Sequence, residues 1–360
     1  MKFKSDTRKN PGHIVFVHPS LMGGGAERVS LALASYFVAH GFRFTYLLTK
    51  SPVVEYEIPD GVKIVSDFAD ASLKPFDQIR LIRSFLRQRP TSTVISFLPH
   101  QNMYSLIAAI GLPNKVIISV RNDPSFDFPG NGFLPYLRNV LYAHADRIVF
   151  QTEQQQSMFP KPVASLGTVI LNPISEHIPL RYDGVRRKVI VTAGRLENQK
   201  NHIMTLRAFA RFAVEHPEYE LEIFGKGTER ARLGEVASIL GIDDRVKFMG
   251  FSPDAVNSVR TASAFVMSSR YEGLSNSMIE ALCMGVPTVC TRCLGGGAEA
   301  VISNGVNGIL VDIDDAEAEA AALARLVDDG VFAESLSCEA AHLRNALSLE
   351  RIGAQWLKLV

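Results

Sequence analysis

Glu272 and Glu280 stand eight residues apart in SSRYEGLSNSMIEALCMGVP, residues 268 to 287. Between them, Ser275 or Asn276 is placed to cap a helix that runs to Gly285, and Pro287 forbids its continuation. Backbone N–H groups at Leu274 to Ser277 then project from the helix start, a favourable place for an anion. A carboxylate just ahead of an anion site repels phosphate. Glu272 therefore suits hydrogen bonds from hydroxyls, or a developing positive charge, and Glu280 in the second turn can hold ribose hydroxyls. The plain alternative is two solvated glutamates flanking an ordinary helix.

Two further stretches have residue types that suit anionic or sugar ligands. TAGRLENQKNH, residues 192 to 202, follows a strand pattern and precedes a helical one. Arg195 supplies a planar fork and Lys200 a point charge, a pair suited to a diphosphate at the carboxyl edge of a sheet. A solvated basic loop is the alternative there. HPSLMGGGAERVSLALASYF, residues 18 to 37, resembles a dinucleotide cradle, with Gly23 and Gly25 in its first two glycine positions. Arg28 fills the third, and the second strand ends in LLTK with no carboxylate, so a nicotinamide cofactor fails on both counts. What remains is a loop whose backbone N–H groups can approach an anionic or sugar ligand, or a tight turn without one.

The elements that must position these loops alternate almost throughout. HIVFVHP, FRFTYLLT, VKIVSDF, STVISFL, KVIISV and DRIVFQT are strand patterns, with helical spacing over 26–40, 74–89, 101–110 and 133–144. The segment 165 to 188 breaks the alternation and reads as an interdomain linker. Then KVIVTAG, YELEIFG, RVKFMG, SAFVMSS, PTVCT and GILV alternate with helical segments at 201–215, 228–240, 253–262, 275–284 and 298–303. Strand, helix, strand at this spacing gives parallel sheets covered on both faces. The fold expected is α/β, two doubly wound Rossmann-like domains facing a cleft, with boundaries at 1–175, 176–343 and a C-terminal helix over 344–360 packing back on the first domain through Trp356.

Bulk properties narrow the function. The chain has 360 residues, 47 % hydrophobic and 21 % charged, with a formal net charge of +1. That suits a globular enzyme of two domains and makes nucleic acid a poor partner. No apolar run reaches bilayer-spanning length. The four cysteines, Cys283, Cys290, Cys293 and Cys338, are expected as reduced thiols in the cytoplasm. CTRC at 290–293 has no second ligand pair, so zinc and redox roles are set aside, as is any aspartate-rich metal motif.

EGLSNSMIE resembles the E-x7-E motif of retaining glycosyltransferases with the two-domain GT-B fold. The whole chain is similar to glycosyltransferase family 4, the group 1 transferases, through GGAERV, GRLENQKN, EIFGKGTER, VKFMGF and CLGGGAEAVISNGVNGILV. The resemblance implies that the second domain binds a nucleotide diphosphate sugar, with UDP-sugar expected. Arg195 and Lys200 would contact the diphosphate, and so would the Leu274–Ser275–Asn276 backbone. Glu280 would hold the ribose and Glu272 a hydroxyl of the sugar, with Gly225 and Phe251 near the base. Gly24 and Gly25 would approach the phosphate–sugar end of the donor when the cleft shuts, with the linker near 172–188 as hinge. No metal or cofactor is implied, since the nucleotide sugar is a substrate.

On the acceptor side the sequence departs from the family. Many members carry a histidine after the fifth strand, where IISVRNDPS offers Arg121, Asn122 and Asp123. Arginine cannot act as a general base at neutral pH, so Arg121 is expected to position donor or acceptor. Proton handling then falls to Asp123 or to His100, which also reads as an ordinary structural histidine. The acceptor expected from family habit is a saccharide or a lipid-linked saccharide in surface glycan assembly. SLKPFDQIRLIRSFLRQRP, residues 72 to 90, with Lys2, Lys4, Arg8 and Lys9, offers a basic face for an anionic membrane at the inner side of the cell; an ordinary sheet-covering helix is the alternative. Two other readings stay open: a GT-B nucleotide-sugar epimerase and a non-catalytic sugar-nucleotide-binding protein.

Overall fold

The computed structural model describes residues 12–66, 70, 73–252 and 255–360. Contacts divide it into two units, one of residues 1–151, 155–173 and 349–360, the other of 152–154 and 174–348. Each is a parallel sheet wrapped by helices, as the alternating apolar runs require.

The first unit contains β1 (His13–His18), α1 (Gly25–Ala39), β2 (Arg43–Leu48), β3 (Val62–Val65), α2 (Pro75–Arg87), β4 (Ser92–Phe97) and α3 (Pro99–Ala109). It continues through β5 (Lys115–Ser119), α4 (Phe133–Tyr142), β6 (Arg147–Phe150), the short helices α5 (Glu153–Ser157) and α6 (Lys161–Ala164), and β7 (Gly167–Val169). Strand order is β3-β2-β1-β4-β5-β6-β7, all parallel. The order reverses between β1 and β4, so the glycine loop after β1 sits at the switch point, where such sheets receive ligands. β7 falls inside the stretch read from sequence as linker: three residues, half-buried and flanked by polar segments, give too short a pattern to stand out.

The second unit contains β8 (Arg187–Ala193), α7 (His202–Glu215), β9 (Glu220–Phe224), α8 (Arg230–Ile239), β10 (Val246–Gly250), α9 (Ala255–Thr261) and β11 (Ala262–Met267). After these come α10 (Asn276–Cys283), β12 (Thr288–Thr291), β13 (Ile309–Val311), α11 (Ala316–Asp328), α12 (Gly330–Ala341) and α13 (Leu343–Ala346). Strand order is β10-β9-β8-β11-β12-β13, again parallel, with the reversal between β8 and β11. The helix expected over 298–303 is absent; the backbone there runs in turns. Its glycine-rich approach, CLGGGAEA, has Gly295 and Gly296 at positive φ, which favours turns over a helix.

The last helix, α14 (Leu349–Leu357), belongs to the first unit and packs along α1. Trp356 is fully buried, 5.8 Å from the Phe97 ring. It joins Ile352 in the core formed by β1, β2 and α1. A separate core lies on the other face, under α2, α3 and α4. The second unit has its own, built on β8, β9, α7 and α11.

Candidate functional site

The two strands at the switch of the second unit, β8 and β11, end in the two loops singled out from sequence. Lys200 Nζ lies 2.6 Å from Glu272 Oε1, each side chain 12 % exposed. Gln199 bridges the same loops, its Nε2 donating to the Tyr271 carbonyl at 2.9 Å and to Glu272 Oε1 at 3.3 Å. Ser269 Oγ donates to that oxygen as well. Arg195 stands exposed above, its Nη2 donating to Gln199 Oε1 at 3.2 Å. Two cations and a carboxylate therefore share one sheet edge, so the solvated-loop reading no longer applies to Lys200 or Glu272.

Ser275 caps α10 by conformation, without a side-chain cap bond; its hydroxyl instead meets that of Ser277 at 3.2 Å. Ser277 Oγ donates to the Ala193 carbonyl at the end of β8, which fixes the helix start against the Arg195 loop. The helix closes where sequence placed its end: Gly285 at φ +65 donates to the Leu282 carbonyl and Val286 to that of Ala281. That is the paired C-terminal bonding a left-handed glycine permits. Leu274 is buried, and Glu280 is half-buried in the second turn. Gly225 ends β9 at φ +141, where an added Cβ would stand 1.8 Å from the Gly194 carbonyl oxygen, so the Arg195 loop lies directly against it. Phe251, which directly follows Gly250, whose carbonyl accepts from the Gly225 N–H, is 80 % exposed.

Sequence reasoning missed the frame behind these groups. Arg270 donates its N–H to the Gln199 carbonyl at 2.9 Å. Its guanidinium pairs with Asp314 at 2.5 Å and donates to Asn201 Oδ1 at 3.1 Å, while Asn201 Nδ2 donates to Asp314 Oδ1 at 3.0 Å. Asn201 and Asp314 both adopt positive φ, +51 and +65, outside the range most side chains tolerate. Asn and Asp are the residues best able to sit there, and that was the only sequence signal available. Below the loops, Ser268 Oγ donates to Glu319 of α11 at 2.7 Å, and full burial pushes that carboxyl up to about 7. Cys290 and Cys293 are buried thiols with pKa values raised by burial, Cys293 to about 12, which makes them inert.

In the first unit the glycine loop differs from expectation. The Gly24 N–H donates to the Tyr56 hydroxyl at 2.7 Å, which donates back to the Gly24 carbonyl at 2.9 Å. Glu27 folds over the loop so closely that a Cβ on Gly24 would meet its Oε2 at 2.1 Å. A carboxylate at the third helical position satisfies the positive end of α1, which starts at Gly25. It also repels phosphate, so the loop is better suited to hydroxyls than to a phosphate end. The Glu55 N–H to Leu21 carbonyl bond clasps it from the other side.

The acceptor-side residues separate. Asp123 is buried, and its Oδ1 accepts from the Ser125 N–H, capping the turn Pro124–Phe126. Arg121 stacks 4.3 Å over Phe97 and donates to Asn172 Oδ1 at 2.7 Å, and desolvation draws its pKa down to about 9. The Asn122 carbonyl accepts from Gln155. His100 is exposed in the first turn of α3, edge-on to Phe128 at 5.0 Å, its pKa lowered by partial burial and by Lys50. In α2 the apolar stripe covers the sheet through Ile82, Phe85 and Leu86. Arg83 donates to the Ala108 and Ile110 carbonyls and Arg89 to that of Phe85, leaving Arg80 and Arg87 exposed. Lys2, Lys4, Arg8 and Lys9 lie outside the described residues. No helix among the described residues is long and apolar enough to cross a membrane.

Comparison with known proteins shows similarity to glycosyltransferases. Residues 187–329, most of the second unit, match the family "Glycosyl transferases group 1". The chain is 26 % identical over 357 residues to a Campylobacter jejuni α-1,4-N-acetyl-D-galactosaminyltransferase named for a GalNAc–GalNAc–diNAcBac-PP-undecaprenol acceptor, covering 96 % of this chain and 98 % of that protein. An uncharacterized glycosyltransferase of Haemophilus influenzae is 24 % identical over 338 residues, covering 92 % and 95 %. Among solved structures, Anabaena HepE in complex with UDP and glucose superposes with a TM-score of 0.81 at 18 % identity, covering 96 % and 98 %. Sucrose-phosphate synthase of Thermosynechococcus elongatus gives 0.84 at 16 %, covering 97 % and 98 %.

Proposed function

The chain is a group 1 glycosyltransferase with the two-domain GT-B fold, and from that premise we propose that it transfers a hexose or N-acetylhexosamine from a UDP-sugar to a saccharide or lipid-linked acceptor, with retention at the anomeric carbon. The observation that carries this reading is the Lys200–Glu272 pair, bridged by Gln199 at the switch point of the second unit. The bond from the sugar's anomeric carbon to the diphosphate oxygen breaks as the acceptor oxygen bonds to that carbon. Negative charge grows on the departing diphosphate. Arg195, Lys200 and the positive end of α10 meet that charge, and preorganised charge of this kind is the largest single catalytic term at such sites. Glu272 accepts from a sugar hydroxyl, Glu280 from the ribose, and Phe251 offers a face beside Gly225 for the base. Arg121 and His100 position the acceptor, whose proton leaves with the diphosphate oxygen. The nucleotide sugar is substrate, and no cofactor enters the scheme.

Support for the donor comes from HepE, whose structure holds UDP and glucose. Support for a lipid-linked acceptor in glycan assembly comes from the undecaprenol-PP saccharide in the Campylobacter enzyme's name. An enzyme acting on such an acceptor would work at the inner face of the cell membrane. The test is UDP release from a panel of UDP-sugars, with and without an undecaprenyl-diphosphate saccharide. Release that depends on acceptor, with product retaining the α-configuration of the donor and unaffected by EDTA, is expected. Donor converted without acceptor would make the protein an epimerase, and UDP bound without turnover would make it a binding protein.

A further inference from the structure

We propose that the exposed apolar face of α4 docks the first unit on an anionic lipid bilayer. Along FLPYLRNVLY the sole charged residue is Arg138, which points inward to a buried ion pair with Asp127 at 2.7 Å. The outward positions are Phe133, Tyr136 and Val140, exposed by 65, 67 and 42 %. They recur at i, i+3 and i+7, one stripe of a helix. A helix apolar on its outer face as well as its inner one is not the pattern of a water-facing surface. Beside α4 lies α3, and beside that α2, with Ile110 and Phe76 exposed by 64 and 66 %.

Charge identifies what covers this face. The first unit holds 20 Lys and Arg against 12 Asp and Glu, a net +8, while the second holds 18 against 25, a net −7, which together give the chain's +1. A near-neutral chain thus hides a strongly basic unit, and the apolar stripe is on that unit. Aromatic side chains that reach the headgroup level, on a unit of net positive charge whose α2 exposes Arg80 and Arg87, match an anionic bilayer. The helices of a parallel sheet begin at its carboxyl edge, so Phe133 and Phe76, each within the first two residues of its helix, lie at the glycine-loop end of the unit. Docking there would bring that end to the bilayer surface. This deepens the lipid-linked reading of the acceptor and rests on it for its purpose, though not for its geometry.

The test is flotation of the full chain with vesicles of phosphatidylglycerol and phosphatidylethanolamine, against phosphatidylcholine alone, at low and high salt. Wild type is expected to float with the anionic vesicles and to be released by salt. Phe133→Ser/Tyr136→Ser should lose about tenfold in partitioning, with the thermal transition unchanged. As a variant that keeps the surface apolar, Tyr136→Trp should shift its emission to the blue on anionic vesicles, over the constant signal of buried Trp356. Failure of wild type to bind, equal binding by the double serine variant, or a wild-type dimer that the variant dissociates would each overturn the proposal; the last would make α4 a contact between copies. Transfer to a water-soluble acceptor, unchanged in the variants, tests the catalytic reading separately.

Discussion

Lys200 and Glu272 hold each other at 2.6 Å, yet neither depends wholly on the other. Gln199 and Ser269 still donate to Glu272 when the lysine is gone, so Lys200→Ala should fold. It is expected to lose the thermal stabilisation that UDP gives wild type, because the cation facing the diphosphate is removed. A variant stabilised by UDP as strongly as wild type would remove Lys200 from the donor site. Glu272→Gln keeps shape and should still bind UDP, while kcat falls about 10²- to 10³-fold through loss of one preorganised charge. Arg270 acts at one remove. Its ion pair with Asp314 is more than a third exposed on both sides, so it adds no more than about 1 kcal/mol to stability. What its guanidinium fixes is the position of Asn201, next to Lys200, while the main-chain bond to Gln199 survives substitution. Arg270→Ala should lower kcat between about ten- and a hundredfold with UDP affinity nearly unchanged, as expected when a reacting group is misplaced by about an ångström. A parallel fall in melting temperature and kcat would assign Arg270 a merely structural role.

At the scale of elements, the sheets were legible because a strand buried on both faces is an apolar run, and twelve apolar runs, those of the half-exposed edge strands β3 and β10 among them, alternate with helical spacing. The helix at 276–283 was legible from its ends, a serine before and a glycine after. What escaped was whatever depends on contacts between distant segments. Asp314 and Arg270 are 44 residues apart, and Tyr56 reaches Gly24 across 32. Nothing in the glycine loop itself shows that Glu27 and a tyrosine occupy its open end. The strand-and-helix alternation also ends at GILV, so it does not reach α11, an alanine-rich helix with Glu319 on its buried side. That residue yields a pH prediction. Burial raises its carboxyl from 4.5 to about 7. Below about 4.5 both folded and unfolded chains hold the proton; between there and about 7 only the unfolded form ionises. Stability therefore falls as pH rises through that window, by no more than about 3 kcal/mol. Glu319→Gln should erase this slope, measured as the difference in denaturant midpoint between variant and wild type across pH. Identical slopes would mean that the buried carboxyl is not what titrates.

The whole molecule is discontinuous in sequence: residues 174–348, with 152–154, form one unit set between pieces of the other. Its cores do not mix. Trp356 and Ile352, from the chain's last helix, complete the core around β1 and β2, while β8, β9 and α7 pack with α11 and α12. Each unit thus carries the apolar interior a domain needs, and calorimetry should resolve two transitions. Trp356→Ala opens a large cavity in the first, worth about 3–5 kcal/mol, and should lower only that transition. UDP at a hundred times its dissociation constant should raise only the other, by about 2.7 kcal/mol, because the groups proposed to hold it all lie in the inserted unit. The two perturbations are therefore expected to move opposite peaks in opposite directions. If UDP raised both peaks together, the nucleotide would be held by groups of both units, and the assignment of the donor site to Arg195, Lys200, Glu272 and Glu280 alone would fail.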